Sequence, residues 1–169
     1  NIMELSTAVT MEMWFTSSSS NAGYNRLFQF GATASNSNSL VLNRDQPSGV
    51  LQAFSILATT RQVPSATEFN SISANAHVVA AYDPVVSETM KVYVNGVEVA
   101  SISTSDALAA AMGNYNHVGD SIAEGQRLHG VLDEFRIWRG ALSASTIAEH
   151  HSWGPSAICA AGTYSVTGR

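Results

Sequence analysis

The stretch that decides the fold is HVVAAYDPVVSETMKVYVNGVEV, residues 77–99. It opens with an apolar, β-branched run, His77–Tyr82, which is typical of a strand buried on both faces. Lys91–Val94 and Val97–Ile102 then flank an Asn-Gly pair. Two strands around Asn-Gly are the strongest short-range signal for a β-hairpin, because a type I′ turn needs positive φ at both central residues. The centre of the chain is therefore expected to hold a buried strand followed by a hairpin.

Alternation predicts half-buried strands towards both ends of the chain. The first strand has two faces: Val9, Met11, Met13 and Phe15 against Thr10, Glu12, Trp14 and Thr16. The last strand, Leu128–Trp138, also has two: Val131, Phe135 and Ile137 against Leu132, Glu134, Arg136 and Trp138. Ser143–His150 is expected to form a short helix, with Ser143 as an N-cap residue that accepts a backbone N–H.

Further short strands are predicted between turns rich in Gly, Asn and Pro. They cover Arg26–Phe30, Leu40–Asn43, Val50–Ala58 and Tyr115–Gly119. Arg61–Asn75 is polar and aperiodic and is expected to be a long loop, a kind of segment that often carries function. The Ala-rich stretch Asp106–Met112 predicts one or two helical turns. About eight to twelve short strands with one terminal helix indicate an antiparallel β-sandwich or jelly roll.

Composition excludes two classes of partner. The chain has 169 residues, a size that suits one domain with a full core. Its net charge is −5 and Lys91 is its sole lysine, so it has no basic patch for nucleic acid. It contains no run of about 18 apolar residues that could form a membrane span. Ser17–Asn21 is a plausible O-glycosylation loop, whereas no N-x-S/T sequon occurs.

Three segments, in this order, resemble laminin-G-like domains of the concanavalin A-like lectin/glucanase superfamily. Val9–Phe15 (VTMEMWF) is similar to F-T-x-E-x-W, and residues 77–99 to H-V-A-x-x-Y-D followed by Y-V-N/D-G-x-x-V. Gly130–Ile147 (GVLDEFRIWRGALSASTI) is similar to G-x-I-D-E-V-R-I-Y-x-x-A-L-S-x-x-E-I. The resemblance implies an all-β, concanavalin A-like jelly roll with a short C-terminal helix, in which the first and last matching strands lie side by side. It departs from the pattern before His77, where Asn75-Ala76 replaces a common Trp.

The end of the chain carries a second resemblance. Cys159, the sole cysteine, opens CAAGTYS, which is similar to the C-x-x-G-T-Y-S start of ephrin-receptor-like cysteine-rich repeats. This implies a laminin-G-like sandwich over residues 1–155 and the start of a cysteine-rich module over 156–169. It also implies that Cys159 forms a disulfide with a partner outside this chain, in an extracellular or cell-surface protein. A free thiol is the alternative.

The residues do not support an enzyme. The superfamily includes glycoside hydrolases, and hydrolysis needs two carboxyls about 5 to 9.5 Å apart. The relevant E-x-D-x-x-E type of signature is missing, Asp133 and Glu134 point to opposite faces of one strand, and Glu12 stands alone. No H-E-x-x-H or C-x-x-C pattern occurs among the histidines and the cysteine. We therefore expect a domain without catalytic residues.

Calcium is a possible ligand that the resemblance implies. Calcium prefers several carboxylate and carbonyl oxygens, and the Asp of the family's G-x-I-D-E segment corresponds to Asp133. Asp83 and Asp120 lie in predicted turns and are weaker candidates. The alternative for Asp133 is a hydrogen bond to backbone at the sandwich edge.

Glycan or protein binding is the other expectation. Trp14 and Trp138 lie on the non-core faces of two neighbouring strands, with Glu12 and Arg136 beside them and able to pair across the ladder. An aromatic platform with fixed polar groups suits a sugar. If a loop or the helix covers these residues, they form a second small core instead, which is the favoured arrangement. The function expected is recognition or adhesion, with glycan or an extracellular protein as partner; the alternative is a structural module of a secreted filament or matrix.

Overall fold

The computed structural model describes residues 7–17, 25–32, 39–44, 51–56, 60–62, 75–108, 113–120 and 127–155. The strands within these ranges are β1 (Val9–Ser17), β2 (Asn25–Gly31), β3 (Ser39–Arg44), β4 (Leu51–Ile56), β5 (Thr60–Gln62), β6 (Ala76–Asp83), β7 (Thr89–Val94), β8 (Val97–Ser103), β9 (Tyr115–Val118) and β10 (Gly130–Arg139). One helix, α1 (Ala144–Trp153), follows them. Several predictions lie outside the described residues. They concern Ser18–Asn21, residues 63–74, residues 109–112 and the tail with Cys159.

The strands form two antiparallel sheets. Sheet A has the order β10-β1-β6-β7-β8 and sheet B the order β5-β4-β3-β2-β9. This arrangement confirms the predicted all-β sandwich with a short C-terminal helix. The expected pairing of the first and last matching strands is also confirmed, since β1 and β10 pair from Val9↔Arg139 to Ser17↔Gly130.

The main core lies between the two sheets. Sheet A contributes the predicted inner face of β1, with Met11, Met13 and Phe15 each at most 1% exposed. Sheet B contributes Phe28 and Leu42 among others. Every residue of β6 is buried, which confirms the prediction from its apolar run.

The central hairpin has the turn that its sequence predicts. Asn95 and Gly96 both have positive φ, 50° and 80°. The Asn95 side-chain oxygen accepts a hydrogen bond from the backbone N–H of His77 at 3.1 Å. The backbone N–H of Asn95 donates to the His77 carbonyl at 2.8 Å. The turn is thereby tied to the start of β6.

The face assignment for β10 was wrong in part. Val131 was assigned to the core and is 65% exposed, whereas Leu132 packs against the core with Phe135. The cause is an irregularity in the pairing with β1, where Glu12 faces Arg136 but Trp14 faces Asp133. The extra residue on β10 is a β-bulge, and Glu134 has a φ of 53° there. A bulge shifts the alternation by one residue, so residues three apart come to share a face.

The prediction that β1 is only half-buried was also wrong. Thr10, Glu12 and Trp14 point away from the main core and are nevertheless at most 2% exposed. They lie on the outer face of sheet A, where Ile147 of α1 joins a second small core with Val79. Helix packing on a sheet face buries the strand residues beneath it.

Helix α1 begins as predicted. Ser143 is the N-cap residue, and its hydroxyl accepts the backbone N–H of Thr146 at 3.1 Å. The helix ends at Trp153, three residues later than the sequence pattern indicated, and Gly154 follows with a φ of 75°. In the part of the chain that the structure describes, no helix is long and apolar enough to cross a membrane.

Candidate functional site

The carboxylate of Glu12 is the centre of a buried polar cluster, here called the Glu12 cluster (Glu12, His77, Trp138 and His150). Trp138 donates its indole N–H to Oε2 at 2.6 Å. His77 Nε2 lies 2.9 Å from Oε1, and His150 Nδ1 lies 3.1 Å from the same oxygen. Strands β1, β6 and β10 and helix α1 each contribute one of these side chains, so the cluster links the helix to three strands.

The charge of Glu12 is stabilised where it lies. Burial alone raises the pKa of this carboxyl, but hydrogen bonds from His77 and Trp138, together with the field of His150, lower it below its usual value. The carboxylate is therefore ionised at neutral pH. Glu12 is 0% exposed, so its carboxylate is closed off from solvent.

A stack of planar groups lies beside the Glu12 cluster. The Arg136 guanidinium carbon is 4.9 Å from the centroid of the Trp14 ring. Trp14 stacks on His77 with ring centroids 4.2 Å apart, and His77 stacks on His151 at 5.7 Å. Cation–π contacts and ring stacking of this kind stabilise the fold beyond what the burial of these side chains contributes.

Arg136 does not make the predicted pair with Glu12. The two residues are opposite each other in the ladder between β1 and β10. Arg136 instead donates to Glu134 Oε2 at 2.9 Å and to the Pro155 carbonyl at 2.8 Å. The hydrogen bonds that Glu12 makes within its own cluster take the place of this ion pair.

The four residues predicted to bind a glycan thus lie together, but beneath α1. Trp14 is 2% exposed, Glu12 is fully buried, and Arg136 and Trp138 are partly buried. This agrees with the covered arrangement that the sequence analysis favoured, although the four residues lie beside the apolar second small core and are not members of it. Their assignment to a glycan site stays a prediction that this buried geometry does not favour.

Asp83, one of the predicted calcium ligands, is occupied by backbone. Its Oδ1 accepts the N–H groups of Val85 and Val86 at 3.2 and 3.0 Å, and its Oδ2 accepts that of Ser87 at 3.1 Å. Burial raises the pKa of this carboxyl, but the three N–H donors outweigh it and lower the pKa below its usual value. The charge serves to fix the turn between β6 and β7.

The other two aspartates lie elsewhere. Asp120 follows β9, with an oxygen 3.5 Å from Arg127 Nε. Asp133 is exposed on β10, opposite Trp14. Within the described ranges, no group of three or more His, Cys, Asp or Glu side chains could hold a metal ion. The calcium ion stays a prediction from the resemblance.

The outer face of sheet B carries a row of polar and aromatic side chains, here called the polar face (Arg26, Gln29, Asn43, Tyr115 and His117). Gln29 lies between Phe28 and Phe30, which belong to the core, so its own side chain points outward. Arg26 Nη1 reaches Asn43 Oδ1 at 3.4 Å across β2 and β3. Both residues are almost fully buried, which makes them part of the floor of this face.

Strand β9 forms one border of the polar face. His117 lies opposite Gln29 in the ladder, and Tyr115 lies opposite Gly31. Tyr115 is 40% exposed, and the residue beside it on β2 has no side chain to cover its ring. An accessible aromatic ring beside a partly exposed imidazole is the chemistry that recognises sugar hydroxyls and C–H faces.

The sequence analysis missed the polar face for a physical reason. The pairing of β2 with β3 has an irregularity between Arg26 and Phe28, which puts Leu27 and Phe28 into the core together. That bulge breaks the period-two pattern, so Arg26 and Gln29 do not read as one face. The available signal was a glutamine between two phenylalanines, since an amide in an apolar strand marks the outward positions.

Comparison with known proteins agrees with this fold. A laminin-G-like family model, described as the concanavalin A-like lectin/glucanases superfamily, matches residues 1–148. No curated protein matches the chain significantly. The chain therefore belongs to the concanavalin A-like lectin/glucanases superfamily by its family model, which covers most of its length.

Several solved structures share the fold at low sequence identity. The CBM40 domain of an IT-sialidase from Ruminococcus gnavus, bound to α2,3-sialyllactose, is 15% identical with a TM-score of 0.66, over 85% of this chain and 82% of that one. Domain 4 of AbnA, a GH43 extracellular arabinanase from Geobacillus stearothermophilus in complex with arabinotriose, is 18% identical with a TM-score of 0.67, over 85% and 66%. A leech intramolecular trans-sialidase is 14% identical with a TM-score of 0.71, over 94% of this chain but only 24% of that one. The fold is thus shared with carbohydrate-binding domains and with parts of glycoside-cleaving enzymes.

Proposed function

We propose that this domain is a non-catalytic carbohydrate-binding module that recognises a glycan on the polar face of sheet B. The observation that carries the proposal is the exposed ring of Tyr115 on the same face as Gln29 and His117. The ring offers an apolar platform for a sugar, and the partly exposed His117 imidazole offers a directional hydrogen bond, while the buried Gln29 belongs to the floor of the face.

The difference between the two sheets supports the choice of face. Over the Glu12 cluster, the outer face of sheet A is closed by α1 and lined by apolar and aromatic residues. The outer face of sheet B instead carries polar side chains at most of its described positions, with the buried Val41 opposite Gln29.

The distribution of carboxylates supports a domain without catalysis. None of the five strands of sheet B contains an Asp or a Glu. Glycoside hydrolysis by the usual route needs a pair of carboxyls flanking the bond. Glu12, the carboxylate that the sequence singled out, is held beneath α1.

The proposal also covers the location and the partners of the domain. One structural neighbour is part of an enzyme described as extracellular, which fits an extracellular location for this chain. Four further proposals rest on the resemblance alone. They are an adhesion role, a protein partner, a calcium ion at Asp133, and a disulfide from Cys159 to a cysteine-rich module. The adhesion role and the structural role in a filament or matrix are distinguished by whether the domain binds a glycan.

A glycan array tests the proposal, with arabino-oligosaccharides and sialylated glycans included and with calcium added or chelated. We expect Tyr115→Ala to weaken binding to the best glycan by about tenfold, equivalent to about 1.4 kcal/mol, because it removes the platform. The affinity is measured by titration calorimetry. Val118→Ala is the matched control, because Val118 is on the same strand, is equally exposed at 40%, and lies on the opposite face. An array without a binding glycan, or equal affinities for Tyr115→Ala and the wild type, would contradict the proposal.

A further inference from the structure

A cleft of about 230 Å³ opens on the outer face of sheet A, beyond the N-terminal end of α1. Its floor comes from β6 and β7, and one wall comes from the segment that leads from β10 into the helix. It lies on the opposite sheet from the polar face. Nothing in the proposed function uses it.

The floor of the cleft is apolar and rigid. Ala81 and Tyr93 are 4% and 3% exposed, and both pack with Leu142 in the second small core. All three residues line the cleft. A flat apolar floor of this kind suits the C–H face of a small ring.

The rim of the cleft is lined with hydroxyl groups. Ser87 and Thr89 stand on one side, with their side-chain oxygens 2.7 Å apart. Ser143 stands on the other side, where its hydroxyl oxygen accepts the backbone N–H of Thr146. A hydroxyl has one donor and two acceptor sites. Ser143 uses all of them, since its oxygen also lies 2.8 Å from the Ser145 hydroxyl and 2.9 Å from the Thr146 hydroxyl. Thr89 therefore supplies the rim hydroxyl for a ligand.

The charges around the cleft balance locally. Lys91 at the rim is 3.0 Å from Glu98, and its ammonium has three N–H donors. The Asp83 carboxylate is already held by backbone N–H groups. Burial, and then the neighbouring Glu98, raise the pKa of Tyr93 to about 12, so its hydroxyl stays protonated. The cleft therefore favours an uncharged ligand that can both donate and accept hydrogen bonds.

We propose that this cleft is a second binding site, which takes one neutral polyhydroxylated ring such as a single monosaccharide unit. The size agrees, because drug-sized ligands occupy about 300–1,000 Å³ and this cleft is smaller. The ring lies on Ala81 and Leu142, and its hydroxyls meet Thr89 and the Lys91 ammonium. The site is independent of the polar face.

The sole lysine of the chain makes the site testable. Lys91 is the only residue whose side-chain amine an acetylating reagent can modify. The probes are glucose, galactose, mannose, arabinose and N-acetylglucosamine, each tested separately, with glucuronate and galacturonate as charged counterparts. A lysine peptide in the same tube reports the intrinsic reactivity of the reagent, and mass spectrometry follows both rates.

We expect at least one neutral sugar to slow Lys91 acetylation relative to the peptide. At twice the dissociation constant the slowing is about threefold, because only the unoccupied fraction reacts. Ala141→Trp places a bulky ring at the cleft wall from an exposed position and is expected to abolish the protection. Ser152→Trp, at the far end of the same helix, is the matched control and is expected to keep it. Thr89→Val removes one rim hydroxyl with little change in shape and is expected to weaken protection, which keeps the test valid if Ala141→Trp does not fold.

Three results would overturn the proposal: no neutral sugar protects Lys91, only the uronates protect it, or protection persists in both Ala141→Trp and Thr89→Val. Tyr115→Ala separates this site from the proposed function. Protection that survives Tyr115→Ala supports a site on sheet A even if the glycan array is blank. Protection that disappears with Tyr115→Ala would place the sugar on the polar face and contradict the cleft.

Discussion

At the scale of single residues, Glu12 shows how a charge can be buried and still have its hydrogen-bond partners. Its two oxygens contact one indole and two imidazoles from three different elements. Each contact satisfies a polar group that the packing of α1 removes from water. The cluster therefore serves the attachment of the helix, and Glu12 and Trp14, two of the residues that suggested a binding surface, are interior groups.

Replacing Glu12 by Gln tests this role. The amide keeps the shape but loses the charge, and its NH2 group faces a histidine nitrogen where an acceptor is needed. We expect the free energy of unfolding to fall by about 1–3 kcal/mol, measured by urea denaturation. Glu98→Gln is the control, because that carboxylate is 38% exposed and its pair with Lys91 contributes little. Equal stabilities for Glu12→Gln and Glu98→Gln would show that the cluster is not structural.

At the scale of elements, regular alternation predicted the strands well and the bulges poorly. β1, β6 and the β7–β8 hairpin were recognisable because period two and the Asn-Gly pair follow from local geometry. The bulges in β2 and β10 depend on pairing with strands far away in the chain, so no local pattern marks them. For that reason Val131 was put in the core and the polar face was overlooked.

The hairpin turn and the helix constrain each other through Gly96. A Cβ at this position would lie 3.2 Å from Ala148 Cα and 3.2 Å from His151 Cβ, at a φ of +80°. We expect Gly96→Ala to destabilise the domain by more than the cost of positive φ alone, which is about 1–3 kcal/mol. Gly140→Ala is the matched control, since its φ is +89° and a Cβ there would meet nothing within 4 Å. Thermal unfolding of both variants measures the difference, and no difference would mean that α1 does not press on the turn.

At the scale of the whole molecule, the two sheets use their outer faces differently. The family resemblance predicted the sandwich, the order of the matching strands and the capped helix, because these follow from motifs with fixed spacing. It did not predict which outer face stays polar, since that depends on where α1 packs after the chain has folded. Tyr115 could be recognised as a candidate only once β9 was known to lie beside β2.

The stability of the whole domain is expected to fall in acid through two groups under α1. Burial, and then the field of His77, lower the pKa of His151 in the folded protein, which therefore favours the neutral imidazole. The contribution of His151 to the free energy of unfolding is thus complete above about pH 6.5 and declines as the pH falls below that value. The pKa of Glu12 is also lowered, so its contribution is complete above its unfolded value of 4.5 and is lost as the pH falls further. The midpoint of urea unfolding, measured from pH 7 to pH 4, is expected to decrease in both ranges.

His151→Gln isolates the first of these two effects. The variant lacks the titrating imidazole, so its midpoint is expected to change less than that of the wild type between pH 6.5 and pH 5. Below that range the two profiles are expected to fall in parallel, because both proteins keep Glu12. Identical profiles over the whole range would remove His151 from the explanation.

The bulge in β10 also bears on whether the edge strands of two copies of this domain can pair. β10 lies at the end of sheet A and is ten residues long, and an edge of that length is a template on which another chain can add a strand and start an aggregate. Glu134 interrupts the regular row of N–H and C=O groups near the middle of that edge, and the exposed carboxylate of Asp133 places a negative charge beside it. We therefore expect the irregularity that obscured the sequence pattern to hinder edge-to-edge pairing of two copies.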